Sequence, residues 1–143
     1  MRDALLELRL ELSLLNHQVA AEVGLNDVDL DCLEVISRKG PISPARLTRR
    51  LGIHSATMTG ILARLEDSGW IRRTMHPHDR RASLLRVAAR REAQLRGRYA
   101  SSTQAVVDAI SARSDEEVML IVGFLMDLAT RAHAVRAGDV RGH

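Results

Sequence analysis

Two helical patterns meet at Gly52, and a short basic hairpin follows them. From Ser43 to Val87 the chain reads helix, tight turn, helix, two-stranded ribbon, with Asp79-Arg80-Arg81 near the ribbon's tip. Few ligands fit that order as well as duplex DNA does. The major groove admits a helix, and the narrow minor groove attracts an arginine carried on a thin ribbon.

The local signals are explicit. Ser43-Pro44 opens a helix, with Ser as the cap and Pro at the first helical position. Leu47 and Leu51 face inward, and Gly52 supplies a left-handed turn residue. His54 or Ser55 then caps the next helix, over about 55–68, with Met58, Ile61, Leu62 and Leu65 as its buried side. Its other side, Ser55, Ala56, Thr57, Thr59, Gly60 and Ala63, is small or hydroxyl-bearing, as a helix lying in a groove requires. Trp70 to Met75 and Ser83 to Val87 read as strands, with His76–Arg81 as a projecting polar loop that Pro77 keeps out of regular pairing.

Helices flank this stretch on both sides. Residues 3–23 carry two leucine stripes: Leu5, Leu8, Leu12, Leu15 and Val19, then Leu6, Leu10 and Leu14. One stripe is enough to pack on a core, so two suggest burial against a further neighbour such as another subunit. Asn26 caps a helix over about 27–38, with Val28, Cys32, Leu33 and Ile36 as its apolar side, and Gly40-Pro41 breaks it. A long helix runs from Ala88 to about Arg113, very basic at first. Ser114 caps a last helix whose apolar stripe is Val118, Ile121, Val122, Leu125, Leu128 and Ala129, and 137–143 read as a frayed tail. The fold expected is mainly α with a small two- or three-stranded antiparallel wing. Residues 26–87 form the winged helix-turn-helix lobe, and 1–25 with 88–143 form a helical dimerisation region.

Composition supports packed helices, because Trp70, Tyr99 and Phe124 are the only aromatics among 143 residues. A β-sandwich would want more of them. The apolar runs look too short to span a bilayer, and acids among the N-terminal leucines argue against a signal peptide. A single cysteine, Cys32, makes a reduced, cytoplasmic protein the default. The net charge of +3 hides an asymmetry. Residues 38–98 hold fourteen Arg and Lys39 against four acids, a net +11, while residues 1–37 carry −6 and residues 99–143 carry −2. The basic block coincides with the helix-turn-helix and ribbon, as the footprint of a nucleic-acid-binding face would.

These residues resemble the multiple-antibiotic-resistance regulator (MarR) family of winged-helix transcription factors. The likeness rests on the leucine-rich first helix, the Asn-capped second, Leu47…Leu51-Gly52-Ile53, Arg64-Leu65-Glu66 before Gly69-Trp70-Ile71, then Asp79-x-Arg81 and a long helix. The resemblance implies an obligate homodimer that represses genes by covering a pseudo-palindromic operator. It also implies release by a small anionic or aromatic ligand, or by an oxidant. Asn16, His17 and Tyr99 are candidates for the polar lining of the ligand cleft. Three features depart from the family pattern. His54 stands where a capping Ser is frequent. Gly60 stands where a polar or basic residue is frequent. Ala88-Ala89-Arg90-Arg91 replaces the usual Thr-Glu-x-Gly.

The expected roles are specific. Ser55, Ala56, Thr57 and Thr59 read the major groove, the hydroxyls by hydrogen bonds and Ala56 by contact with a thymine methyl. Arg81, with Arg80, enters the minor groove from the wing, and Asp79 orients Arg81 or pairs with Arg73. Arg73 is a further DNA-binding residue of the wing, and Arg46, Arg49, Arg50, Arg72, Arg73 and Arg86 supply phosphate contacts. Cys32 is either a buried structural thiol or a redox sensor, and the acids flanking it favour the former. His76 and His78 lack a third ligand, so no metal is expected, and no cofactor. An enzyme is disfavoured, since no nucleophile–base arrangement or phosphate loop is visible. A winged-helix module used only for protein contacts is the other alternative, against which the basic block counts.

Overall fold

The structure, a computed structural model, describes Arg2–Asp139; the side chains of Arg80, Arg81, Ala137 and Asp139 lie outside the described residues, as do residues 140–143. The elements follow as α1 (Arg2–Val23), α2 (Asp27–Lys39), α3 (Pro44–Leu51), α4 (Ser55–Asp67), β1 (Ile71–His76), β2 (Asp79–Val87), α5 (Ala89–Ser111) and α6 (Asp115–Asp139). They form two compact units, one ending at Arg98 and the other beginning at Tyr99. The backbone of α6 runs through 137–139, where a frayed tail was expected; the rest of that tail lies outside the described residues.

The core of the first unit lies where α2, α3, α4 and the wing meet. Leu30, Leu33, Ile36, Leu47, Met58, Ile61, Leu62, Leu65, Trp70 and Leu85 are all fully buried there. Caps set the helix directions. Asn26 Oδ1 accepts the Asp29 N–H at 2.8 Å, and Ser43 Oγ accepts the Arg46 N–H at 3.3 Å. Each satisfies a backbone donor that the first turn leaves without a helical partner. Gly52 sits at φ 68°, ψ 29°, a left-handed conformation that a Cβ would strain, and this lets α4 leave α3 through a three-residue turn. His54 occupies the N-cap of α4 by its backbone and makes no side-chain cap bond, so the capping role offered to Ser55 is not taken up. Val28, assigned to the apolar side of α2, is nearly half exposed, and Leu30 takes its place in the core.

The wing is longer than its sequence suggests. β2 begins at Asp79 rather than Ser83, so the turn is only Pro77-His78. The register runs from Ile71↔Val87 to Met75↔Ser83 and then jumps to His76↔Asp79. Residues 80–82 therefore bulge from β2 with no partner opposite, which re-aims the strand at the tip. Ile42 adds a third, one-residue strand, exchanging backbone hydrogen bonds with Leu85 at 3.2 and 2.8 Å.

In the second unit, Ser114 and Glu117 form a capping box: Glu117 accepts the Ser114 N–H at 2.9 Å and Ser114 Oγ accepts the Glu117 N–H at 3.3 Å. The Ser114 backbone N–H first, and then the Ser114 hydroxyl, stabilise the ionised carboxylate, so Glu117 titrates below the usual range. The apolar stripe expected to be buried along α6 is only partly covered among the described residues, with Val118, Ile121 and Leu128 half-buried. Val122 and Leu125 are exposed, and Leu120 and Met119 are about three-quarters exposed. Contrary to the reading of its apolar runs, α6 over Asp115–Arg136 has the length and the mean hydropathy (1.6) of a membrane-crossing helix. The apolar run is nevertheless broken by Asp127, which pairs with Arg131 at 2.7 Å. In the first unit, Leu5, Leu6, Leu8, Leu10, Leu12 and Leu14 of α1 are likewise exposed, at 44–55%.

Candidate nucleic-acid interface

The exposed face of α4 is as small and polar as its sequence requires. Met58, Ile61, Leu62 and Leu65 turn inward, leaving Ser55, Ala56, Thr57, Thr59, Gly60 and Ala63 in solvent. Among the described residues the Ser55 and Thr57 hydroxyls have no hydrogen-bond partner, so both can donate and accept. Thr59 differs. Its hydroxyl donates to the Ser55 carbonyl at 2.9 Å, so its oxygen is left chiefly as an acceptor.

Exposed arginines lie on α3 and on the wing, the elements that precede and follow α4 in the lobe. Arg46, Arg49 and Arg50 are exposed on α3. Arg72 and Arg86 stand directly opposite one another in the wing, exposed on the sheet face that Ile71 and Leu85 do not use for the core. Two like charges in register repel, and an anion between them removes the repulsion. Arg73 lies on the other face. Its Nε donates to both Glu66 carboxylate oxygens, at 2.8 and 3.0 Å, and Nη1 approaches Ser83 Oγ at 3.4 Å. It therefore ties the wing to the end of α4, and Glu66 takes the place that Asp79 had in one of the two sequence readings. Asp79 is the first residue of β2 and sits across from His76. The side chains of Arg80 and Arg81 lie outside the described residues; their backbone forms part of the bulge.

Three contacts were not foreseen. Asp29, read as a first-turn acid of α2, is buried and receives a two-pronged grip from Arg64, Nη2 to Oδ1 at 2.7 Å and Nε to Oδ2 at 3.1 Å. The signal was present, since 29, 32, 33 and 36 share one helical face and a charge on an apolar stripe needs a partner. Arg91 of α5 lies 4.7 Å over the Trp70 ring and donates to the Ser68 carbonyl at 3.1 Å. Glu92 accepts from Ser37 at 3.2 Å. These contacts fasten the first turn of α5 to the end of α4 and to α2.

The expected ligand residues have neighbours of their own. Asn16 donates to Asp31 at 3.2 Å, and His17 Nδ1 lies 3.1 Å from Asp27, so both join α1 to α2. Tyr99 opens the second unit and its carbonyl accepts from Ser102 at 2.9 Å. Cys32 is fully buried beside Asp29 and Asp31. Burial first, then those two acids, pushes its thiol up to about 12.

Comparison with known proteins converges on one family. The MarR family model matches residues 25–83, the stretch from the cap of α2 to mid-wing. The uncharacterised HTH-type transcriptional regulator YcgE of Bacillus subtilis (strain 168) is 25% identical over 114 residues, 79% of this chain and 74% of that protein. The transcriptional regulator Tm0710 of Thermotoga maritima superposes with a TM-score of 0.66 at 27% identity, covering 90% of this chain and 91% of that one. Streptococcus pneumoniae FabT, solved in complex with DNA, shares the fold at 19% identity (TM-score 0.68; 94% of this chain, 97% of that one). Sequence match, helix order and wing agree: residues 25–83 form a MarR-family winged helix-turn-helix, and the chain as a whole is similar to transcriptional regulators of that type.

Proposed function

We propose that this regulator binds a pseudo-palindromic DNA operator as a homodimer, laying α4 in the major groove and the wing along the minor groove. The observation that carries the reading is the α4 face itself. A solvent-facing strip of Ser55, Ala56, Thr57, Thr59 and Gly60 has no bulk to block close approach and sits within the most basic part of the chain. FabT, which shares the fold, has been captured on DNA, and this supports the same use here. Arg46, Arg49, Arg50, Arg72 and Arg86 contact phosphates, and Arg81, with Arg80, enters the minor groove from the tip of the wing. Arg73 contributes by holding the wing against Glu66 rather than by touching DNA.

The second copy is supported by uncovered apolar surface. The leucines of α1, Val106 and Val107 of α5, and Met119, Leu120, Val122, Phe124, Leu125 and Met126 of α6 are exposed large apolar side chains that a second copy would cover. Two copies set half-sites about one helical turn, or a multiple, apart. Repression by occlusion follows from such a geometry. An effector that displaces Asn16 or His17 from Asp31 or Asp27 would loosen α1 from α2. The two acids favour an aromatic effector there over an anionic one.

The test begins with duplexes enriched by the wild-type protein from a random-sequence library. Thr57→Ala should relax the preference among them, and Arg81→Ala should weaken binding and lower the salt slope by about one. No enrichment of any duplex would refute the reading.

A further inference from the structure

Asp29 is the one charged side chain in the core among the described residues, and its partner rides on the recognition helix. Asp29 is buried while its partner Arg64 stays 57% exposed. Removing a carboxylate from water costs several kcal/mol, so such a pair seldom contributes more net stability than an apolar pair of the same shape. What it supplies is direction. The apolar stripe of α4 (Met58, Ile61, Leu62, Leu65) sets which side of the helix turns inward, but hydrophobic contact is non-directional and fixes the exact roll only loosely. A guanidinium gripping a carboxylate through two donors is directional.

The placement makes that direction matter. Thr57 and Arg64 are seven residues apart, two turns along the same side of α4. The Arg64 side chain folds back along the helix, and a Cβ at Gly60 would lie 3.7 Å from its Nη1. Asp29 is itself fixed, with its backbone N–H taken by Asn26 at 2.8 Å. The cap of α2, the buried carboxylate and the guanidinium thus form one continuous link from the lobe's core to the DNA-facing side of α4.

We propose that the Asp29–Arg64 fork is a positioning pair for sequence-specific recognition: it sets the roll of α4, and so the aim of Ser55 and Thr57, without touching DNA. The inference rests on the DNA-binding reading above. Because Asp29 neutralises it, Arg64 adds little to phosphate binding, so the fork governs specific affinity and not general attraction to DNA.

Two variants test this, Asp29→Asn and the apolar pair Asp29→Leu with Arg64→Met. Affinity is measured for the duplex that the wild-type protein enriches from a random library, and for a scrambled duplex of equal length, with thermal unfolding followed alongside. Each variant should lose about tenfold or more on the enriched duplex, the size of an ordinary pairwise coupling, and change less than about threefold on the scrambled one. The apolar pair should keep the wild-type unfolding temperature within a few degrees. Enriched-duplex affinity retained in a folded variant overturns the proposal, as does a parallel loss on both duplexes. So does a salt slope reduced by about one when Arg64 is replaced, which would make Arg64 a phosphate contact. An apolar pair that does not fold also overturns it, by making the fork a stability element. A wild-type protein that enriches no duplex refutes the DNA-binding reading itself, a result that no variant outcome imitates.

Discussion

Gly60 marks the middle of the exposed face of α4, and a Cβ there would meet nothing nearer than Arg64 Nη1 at 3.7 Å. Replacing it with Ala should therefore stabilise the fold by roughly 0.5–1 kcal/mol through helix propensity alone, seen as a higher urea midpoint. A lower midpoint would mean that the Arg64 fork does not tolerate even a methyl group. Cys32 gives a second check. With its thiol raised to about 12 from an ordinary 9.0, the folded chain keeps the proton where the unfolded chain loses it. Stability should be fully present below pH 9.0 and fall as pH rises towards 12. In the same way, iodoacetamide should leave the native thiol untouched at neutral pH and label it on unfolding; rapid native labelling would revive the redox alternative. Cap residues such as Asn26, Ser43 and Ser114 were legible because a cap acts within three residues of itself. The Asp29–Arg64 link was not, since it joins positions 35 apart in the chain and only the folded lobe brings them together.

Helices declared themselves through periodic leucines and isoleucines, and the structure follows those boundaries within a residue or two. The wing did not. Asp79-Arg80-Arg81 looks like loop by composition, yet tertiary pairing draws it into β2 and shifts the irregularity into a bulge. The stripe of α6 was legible as apolar, but not what covers it, because periodicity reveals a face and not its neighbour. Within the wing, Arg72 opposite Arg86 carries a testable cost. Arg86→Thr should stabilise the free protein by roughly 0.2–1 kcal/mol, by removing a like-charge cross-strand pair. The same change should weaken DNA binding and lower its salt slope by about one per lobe. A variant that is both less stable and equally tight on DNA would assign Arg86 a packing role instead.

At the scale of the molecule, charge and apolar surface are segregated. The net +11 falls between 38 and 98, the stretch that contains the exposed face of α4, while exposed leucines, valines and methionines lie on α1, the later part of α5 and α6. Sedimentation should give twice the mass of the chain at micromolar concentration; a monomer, or protein that partitions onto lipid vesicles, would assign the apolar helices to another partner. Two basic lobes held together should also make DNA binding strongly ionic. The most direct measurement is the affinity of the wild-type protein for its enriched duplex across a series of salt concentrations. Several neutralised phosphates per lobe should give a log–log slope on the order of −6 or steeper. A slope near zero, or no binding at low salt, would contradict DNA recognition by α4 and the wing.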